Sequence, residues 1–558
     1  MGTIDIAVIL IFTLLVFVCG LSFSKSGKNM KSFFAAGGAL PWWMSGLSLF
    51  MSFFSAGTFV VWGSIAYSSG WVAITIQTTM CIAGVLIGFF IAPKWQKTKA
   101  LTAAEFITDR LGYSTQKIYT YLFLLISIFT TGAFLYPVAK IVEVSTGFPI
   151  NTSIIVLGIL ILIYTAVGGL WAVIVTDVLQ FVVLTAAVLI VVPLSLDKIG
   201  GMNNFISQAP ENFFALVNEE YTWGFMIAFG LYNLFFIAGN WAYVQRYTSV
   251  ATPKDAKKVG WLFGGLYLVS PLIWMLPPMI YRVLNPELGG LADEGAYLLM
   301  CKEVLPVGML GLMLGGMIFA TSSSVNTTLN ISAGVLANDV YKHFRPNADG
   351  DRLVKVGRMA TIFLGVLTII VALLVPYMGG IVEVVMSLAA ITGGAMFLPP
   401  MWALFSRHQT GKSALIVTVI TLTINAFFKF LAPTLLNFSF DRAQEMGFGM
   451  GIPIVLLAAF EIYARTQNTT TVEYDNYQLK VTQKTSEAED DAASGNKKGT
   501  RVIGIGVALT GLMILILSFI AETGAILVGS MGFLVMLLGS FIIFKATKKD
   551  PDQMVQSN

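Results

Sequence analysis

The stretch Ala320-Thr321-Ser322-Ser323-Ser324-Val325-Asn326-Thr327-Thr328 sets hydroxyls and an amide inside an apolar run, 308–335, that is long enough to cross a membrane. Hydroxyls cost less in hydrocarbon than charges do, yet each needs a partner. A cluster of them one turn apart offers converging oxygens, which is what a dehydrated Na⁺ or a small polar solute requires. Asp177 lies within another apolar run. A lone carboxylate at that depth is costly, so a cation or donor should lie opposite it. Two further apolar segments are punctuated at mid-length, 44–67 by Ser52, Ser55, Gly57 and Thr58, and 222–244 by Gly230, Asn233, Gly239 and Asn240. A helix broken there exposes backbone carbonyls and amides that ligate ions and solutes at the midplane. The plainer reading of each glycine is close helix packing, and of each serine a bond back to a carbonyl one turn earlier.

Positioning such groups takes many helices. With 56% hydrophobic and 11% charged residues over 558, and mean hydropathy +0.79, the chain departs far from a soluble composition, in which about a quarter of residues are charged. It reads as an all-α polytopic membrane protein. About fifteen apolar segments, at ~20 residues each, could cross ~30 Å of hydrocarbon. They lie near 5–23, 44–67, 72–93, 118–142, 150–168, 171–195, 222–244, 259–281, 306–341, 356–378, 380–405, 413–432, 447–464, 502–521 and 524–544. The two punctuated segments are five spans apart and enter from opposite sides, the spacing of a five-plus-five inverted repeat.

Positive residues set the orientation. With the amino terminus outside, about 28 of the 34 Lys and Arg fall in cytoplasmic loops and about 4 (Lys198, Arg282, Lys302, Arg442) outside, which puts the carboxyl terminus inside. Arg246 counts among the cytoplasmic loop residues. The first segment has neither a basic n-region nor a small-residue cleavage site and reads as an uncleaved helix. The net charge of +4 reflects loop asymmetry and not nucleic-acid binding.

The predicted organisation is a first peripheral helix and cytoplasmic loop (1–43), a first inverted repeat (44–195), a second (196–408), peripheral helices (409–464), a flexible cytoplasmic loop (465–501), and carboxyl-terminal helices with a tail (502–558). Residues 285–302, with Glu287, Asp293 and Glu294, read as a solvated outer loop, and Cys19, Cys81 and Cys301 as small apolar packers. Paired buried acids, a metal-spaced Cys/His set and a nucleophile elbow are all missing, so an enzyme is not expected.

The run Tyr164 to Gln180, with Gly168, Gly169, Leu170, Ala172, Val173, Thr176 and Asp177, resembles the sodium:solute symporter family. So do Leu40-Pro41-Trp42-Trp43, Leu305-Pro306-Val307-Gly308, and Asn330 followed by Asp339-Val340-Tyr341-Lys342. The resemblance covers roughly residues 5–465 and implies a leucine-transporter-like fold. It also implies a Na⁺ site, Na2, made by the Met51 and Phe54 carbonyls, the Ala320 carbonyl, and the Ser323 and Ser324 hydroxyls. Local chemistry agrees, since positions i, i+3 and i+4 share one helix face. Some members hold a second ion, Na3; Asp177, Asn326 and Thr327 match its positions, with Asn326 departing from the usual Ser or Thr.

Substrate positions match less evenly. Family sugar carriers place an acid and an amide where this chain has Gly57 and Thr58, which weighs against a sugar. Ser55, Thr58 and Gln77 match positions that contact the substrate in sialic-acid members, and Asn240 matches a substrate-contacting Asn. Those members also supply an Arg in the fourth span; here 118–142 has none, and Thr130 and Thr131 stand thereabouts. Tyr232, Trp241 and Tyr243 are candidates for gating or for packing.

The expectation is therefore Na⁺-coupled symport of a small organic solute by alternating access in the cell membrane, the inner membrane if bacterial. The solute stays open between a carboxylate, such as sialic acid or a monocarboxylate, and a sugar. Na⁺ is the expected coupling ion, and the partners are the substrate and the lipid bilayer, with neither nucleic acid nor a required protein partner. The competing readings are a proton-coupled carrier on the same fold, with Asp177 as proton site, and a membrane-embedded sensor or enzyme.

Overall fold

Every apolar segment of the sequence contains helix where the structure describes it, and the two punctuated ones are interrupted. The computed structural model describes residues 2–22, 40–100, 102–164, 170–341, 344–345, 350–467, 472–486 and 494–547. The helices used below are α1 (Thr3–Leu21), α2 (Trp42–Met51), α3 (Gly63–Ser69, entered through a π-helical turn Thr58–Trp62), α4 (Val72–Lys97), α5 (Ala103–Leu111), α6 (Tyr113–Thr146), α7 (Ile150–Tyr164) and α8 (Leu170–Lys198). They continue with α9 (Trp223–Gly239), α10 (Trp241–Thr248), α11 (Pro253–Leu284), α12 (Ala296–Val304), α13 (Met309–Val335), α14 (Gly350–Leu374), α15 (Gly380–Ala403), α16 (Gly411–Leu435), α17 (Arg442–Thr466), α18 (Val472–Ser486), α19 (Ser494–Ser518) and α20 (Ala525–Thr547).

Among the described residues, 11 helices are long and apolar enough to cross a membrane, or up to 12 if the bent pair α9–α10 is one span. The fifteen crossings predicted from the sequence are not reached by that measure. The differences have local causes: α2 and α3 are separated by a break, the apolar part of α7 is only Ile150–Leu162, and that of α13, Met309–Ser322, ends where the hydroxyls begin. Large apolar side chains such as Leu14, Phe90, Ile227 and Phe363 stay exposed on the outside of the bundle, as lipid-facing residues do.

Small residues set the closest crossings. Gly84 and Gly88 on α4 face Gly260 and Gly264 on α11, and a Cβ on Gly260 would come within 2.6 Å of the Gly88 Cα. Two small-xxx-small pairs thus let these backbones touch. The hydroxyl-bearing helix α13 packs among α1, α6, α8 and α14. Its first turn is fixed by α1, where the Asp5 carboxylate accepts hydrogen bonds from the N–H groups of Gly308 (2.8 Å) and Gly311 (3.2 Å). A carboxylate there satisfies orphan amides and meets the positive end of the helix dipole.

Three expectations need correction. Residues 465–501 are not one flexible loop, because α18 lies within them and α19 begins there. Although poor in aliphatics, α18 is held by charge and by rings, with Lys480 and Lys484 paired to acids of α5. Nor is the outer loop wholly solvated: Glu294 is 3% exposed, accepting from Tyr136 Oη (2.9 Å) and the Ile381 N–H (2.9 Å). And Arg246 is no loop residue. It sits within α10, buried.

Candidate functional site

The first break forms because four residues, 52–55, leave helical geometry between α2 and the turn that leads into α3. Within it the Ser55 N–H donates to Phe53 O (3.1 Å) and Thr58 Oγ1 (3.2 Å), the Thr58 N–H donates to Ser55 O (3.0 Å), and Thr58 Oγ1 donates to Phe53 O. Neither the Met51 nor the Phe54 carbonyl is an acceptor of the bonds that close this break. Both residues are buried, as is Ala320.

The polar patch of α13 touches the break directly. The Ala56 N–H donates to Thr321 Oγ1 (3.0 Å), while that hydroxyl donates to Met317 O (3.0 Å). Ser324, one turn on, lines a cavity together with Ser52 and Ser55. The Ser323, Asn326 and Thr327 side chains lie outside the described residues, as do residues 165–169, which include Gly168 and Gly169.

The second break lies at Asn240, where α9 and α10 meet at 61°. Asn240 Oδ1 accepts from the Ala242 N–H (3.0 Å) and so caps α10. Between the two breaks is a cavity with ≈ 200 Å³ open to the centres of water molecules. That is room for a small organic solute. Its wall is largely apolar and carries rings from Phe53, Trp62, Phe123, Phe134, Tyr232, Phe236, Tyr243 and Phe397. Polar groups reach it from Ser55, Thr58, Ser127, Thr130, Asn233, Asn240 and Thr392. Several of these hydroxyls already donate to their own helices, Ser127 to Leu124 O, Thr130 to Ile126 O and Thr392 to Leu388 O. What they offer a guest is lone pairs.

One end of the cavity carries the charged residues of its described lining, Asp177 and Arg246. Arg246 Nη2 lies 4.0 Å from Asp177 Oδ2, and the two side chains are 4% and 7% exposed. Ser48 Oγ donates to Asp177 Oδ2 (2.6 Å) and accepts from Arg246 Nε (3.3 Å); Arg246 Nη1 donates to Ala242 O (2.7 Å). The cation that the depth of Asp177 demanded is thus supplied by the second broken helix, with a hydroxyl of the first between them.

Of the substrate residues read from the sequence, Ser55, Gly57, Thr58 and Asn240 line the cavity. Gln77 does not. It faces α11, where its Oε1 accepts from Trp274 Nε1 (3.1 Å), and it is 1% exposed. Sequence reasoning missed Arg246, the aromatic wall, and the bond made by Thr321. The signal for Arg246 was its place six residues past Asn240, close enough for the restarted helix to carry it inward.

A model of the sodium:solute symporter family matches residues 33–421. The sodium/glucose cotransporter of Vibrio parahaemolyticus is 28% identical, over 77% of this chain and 85% of its own length. The sodium/sialic acid symporter SiaT of Proteus mirabilis is 25% identical, over 75% of this chain and 88% of its own. Among solved structures, a substrate-bound outward-open state of a Na⁺-coupled sialic acid symporter superposes with TM-score 0.69 at 22% identity, covering 83% of this chain and 98% of that one. The fold is shared with that transporter.

Proposed function

The chain belongs to the sodium:solute symporter family, and we propose that it uses the inward Na⁺ gradient to carry a small organic solute across the cell membrane by alternating access. In this reading it crosses the bilayer about fifteen times in a leucine-transporter-like five-plus-five inverted repeat. Its amino terminus lies outside and its carboxyl terminus inside, as the Lys and Arg asymmetry requires.

The Na⁺ is held by the carbonyls of Met51, Phe54 and Ala320 and the hydroxyls of Ser323 and Ser324. One observation carries this: the bond from the Ala56 N–H to Thr321 brings the break and the polar patch together beside the Met51 and Phe54 carbonyls, which accept none of the bonds that close the break among the described residues. Na⁺ bound there favours whichever state keeps α2 and α13 in contact, and that differential affinity supplies the drive.

For the solute, the wall favours an uncharged molecule with one apolar face and several O–H or N–H donors, a sugar-like body above a free carboxylate. Rings cover the apolar face, Ser127, Thr130 and Thr392 accept from its donors, and Arg246, the cation in the described lining, is already engaged by Asp177, Ser48 and Ala242. Ser55, Gly57, Thr58 and Asn240 are its nearest polar contacts at the breaks. A second Na⁺ at Asp177, Asn326 and Thr327 would require Arg246 to release the carboxylate. A charge-to-solute ratio of two for a neutral solute supports that ion, and a ratio of one removes it.

Proteoliposomes with an inward Na⁺ gradient, screened over glucose, galactose, myo-inositol, sialic acid, acetate and lactate, test the proposal. Accumulation should need Na⁺ and be strongest for a neutral polyol. Uptake that continues when Na⁺ is replaced at fixed pH would instead favour proton coupling.

A further inference from the structure

Helix α18 lies beyond the family-matched residues 33–421, yet it docks on the family core. Tyr474, Tyr477, Lys480 and Lys484 fall within an arc of about 120° on one side of it, and that side meets α5. Lys480 pairs with Asp109 (2.7 Å), and Lys484 pairs with Asp109 (2.9 Å) and Glu105. The Tyr474 ring covers Arg110 (5.1 Å), a fully buried guanidinium whose Nη2 donates to Ser406 O (2.8 Å) beyond the end of α15.

A chain of contacts runs from this dock to the solute cavity. Tyr477 meets Phe106 edge-on (5.7 Å between centroids), Phe106 meets Trp95 (4.8 Å), and Trp95 Nε1 donates to Ala238 O (2.8 Å). Ala238 is two residues before Asn240, at the break whose bend shapes one side of the cavity. Gln96, next to Trp95, donates to Ala251 O (3.0 Å) past the far end of α10. The end of α4 therefore holds the chain on both sides of α10, at the break and past its far end, and α5 with α18 holds the end of α4.

We propose that α18 is a built-in strap whose docking on the acidic and aromatic face of α5 restrains the bending of α9–α10 and so limits the rate of the transport cycle. The role in transport rests on the symporter reading; the mechanical coupling does not.

In the full-length protein, K480E/K484E reverses both lysines while leaving the cavity residues intact. Amide hydrogen exchange over 239–243 should quicken roughly two- to five-fold, the scale expected from losing a few partly exposed ion pairs, with exchange in α14 unchanged. Adding E105K/D109K restores the pairs with signs exchanged and should return exchange to the parent rate. Tyr477→Ala, which cuts the ring relay and keeps both lysines, should quicken exchange at 239–243 alone. Unchanged exchange at 239–243 in K480E/K484E overturns the proposal, and so does a rise that extends equally to α14. In proteoliposomes supplied with glucose, galactose, myo-inositol, sialic acid, acetate and lactate, radiolabelled Na⁺ flux should rise in step with exchange. Quickened exchange with no Na⁺ flux in parent or variant would sink the symporter reading while leaving the coupling intact; flux that is Na⁺-specific but indifferent to the variants would do the reverse.

Discussion

Asp177 and Arg246 cost each other little only while they stay together. Each is nearly out of solvent, and removing one partner of such a pair leaves an uncompensated charge, a loss of about 3–5 kcal/mol. Arg246→Met should therefore cut folded protein and thermal stability sharply, whereas Asp177→Asn with Arg246→Gln, two neutral partners of similar shape, should recover most of it. A size-exclusion thermal series of the single and double variants decides this; equal losses in both would mean the pair is not coupled. Ser324 is a different case. It lines the cavity beside Ser52 and Ser55. In the proposed Na⁺ site it is one of five ligands, whose loss would cost about 1–2 kcal/mol, so Ser324→Ala should raise the half-saturating Na⁺ concentration roughly five- to thirty-fold. Isothermal titration with NaCl measures it, and an unshifted affinity removes Ser324 from the site.

At the scale of elements, breaks were easier to read than surfaces. Gly57 with Ser52, Ser55 and Thr58, and Gly239 with Asn240, are poor helix residues inside apolar runs, so local propensity alone marks where α2 stops and α10 starts. Gln77 lies away from the cavity lining, facing Trp274, which sequence spacing cannot foretell because it does not say which side of α4 meets α11. Nor could hydropathy find α18, which is held by distant acids. Its dock also has a defined pH window. Burial by itself would raise the Asp109 carboxyl, but hydrogen bonds from Lys480 and Lys484 outweigh that and hold it below its ordinary value. Burial opposes the charge on Lys484 too, and Glu105 with Asp109 overcomes it, so that ammonium is raised. A lowered acid stabilises above its unfolded value and loses that contribution as pH falls through the lowered one; a raised base stabilises below its unfolded value and loses it as pH climbs through the raised one. Docking should thus be constant from about pH 5 to 10. It should instead weaken between about 0.1 M and 1 M salt, as the screening length falls from ~10 Å to ~3 Å. Exchange within 472–486 at the two salt levels checks both statements; a step near neutral pH would contradict them.

Across the whole molecule, the family and the class of fold were legible because hydropathy, charge asymmetry and motif spacing are distributed over hundreds of residues. Contacts between remote segments were not. Asp5 on the first turn of α13 is one such contact, and Glu294 is another. The 3₁₀ segment Gly290–Gly295 is tied to α6 and α15 through Glu294, to α3 through Asp293 and Ser64 Oγ (2.9 Å), and the neighbouring chain is tied to Tyr67, whose hydroxyl donates to Asn285 O (2.6 Å) and accepts from the Leu288 N–H (3.1 Å). This one segment therefore clamps three helices at the same end of the bundle. Desolvation lifts the Glu294 carboxyl above its ordinary value, although the Ile381 N–H, Tyr136 and the nearby Lys140 pull the other way and Asp293 adds to the rise. A carboxyl raised on folding contributes most when pH is below its unfolded value and loses that contribution as pH rises through the raised one. Mild acid should consequently tighten the clamp. Lowering the pH from neutral toward the unfolded carboxyl value should raise the unfolding midpoint, and Glu294→Gln, which stays neutral throughout, should hold the higher midpoint at both ends of that range. Differential scanning fluorimetry of the two proteins settles it, since a variant that follows the same pH dependence as the parent would place the titrating group elsewhere on the molecule.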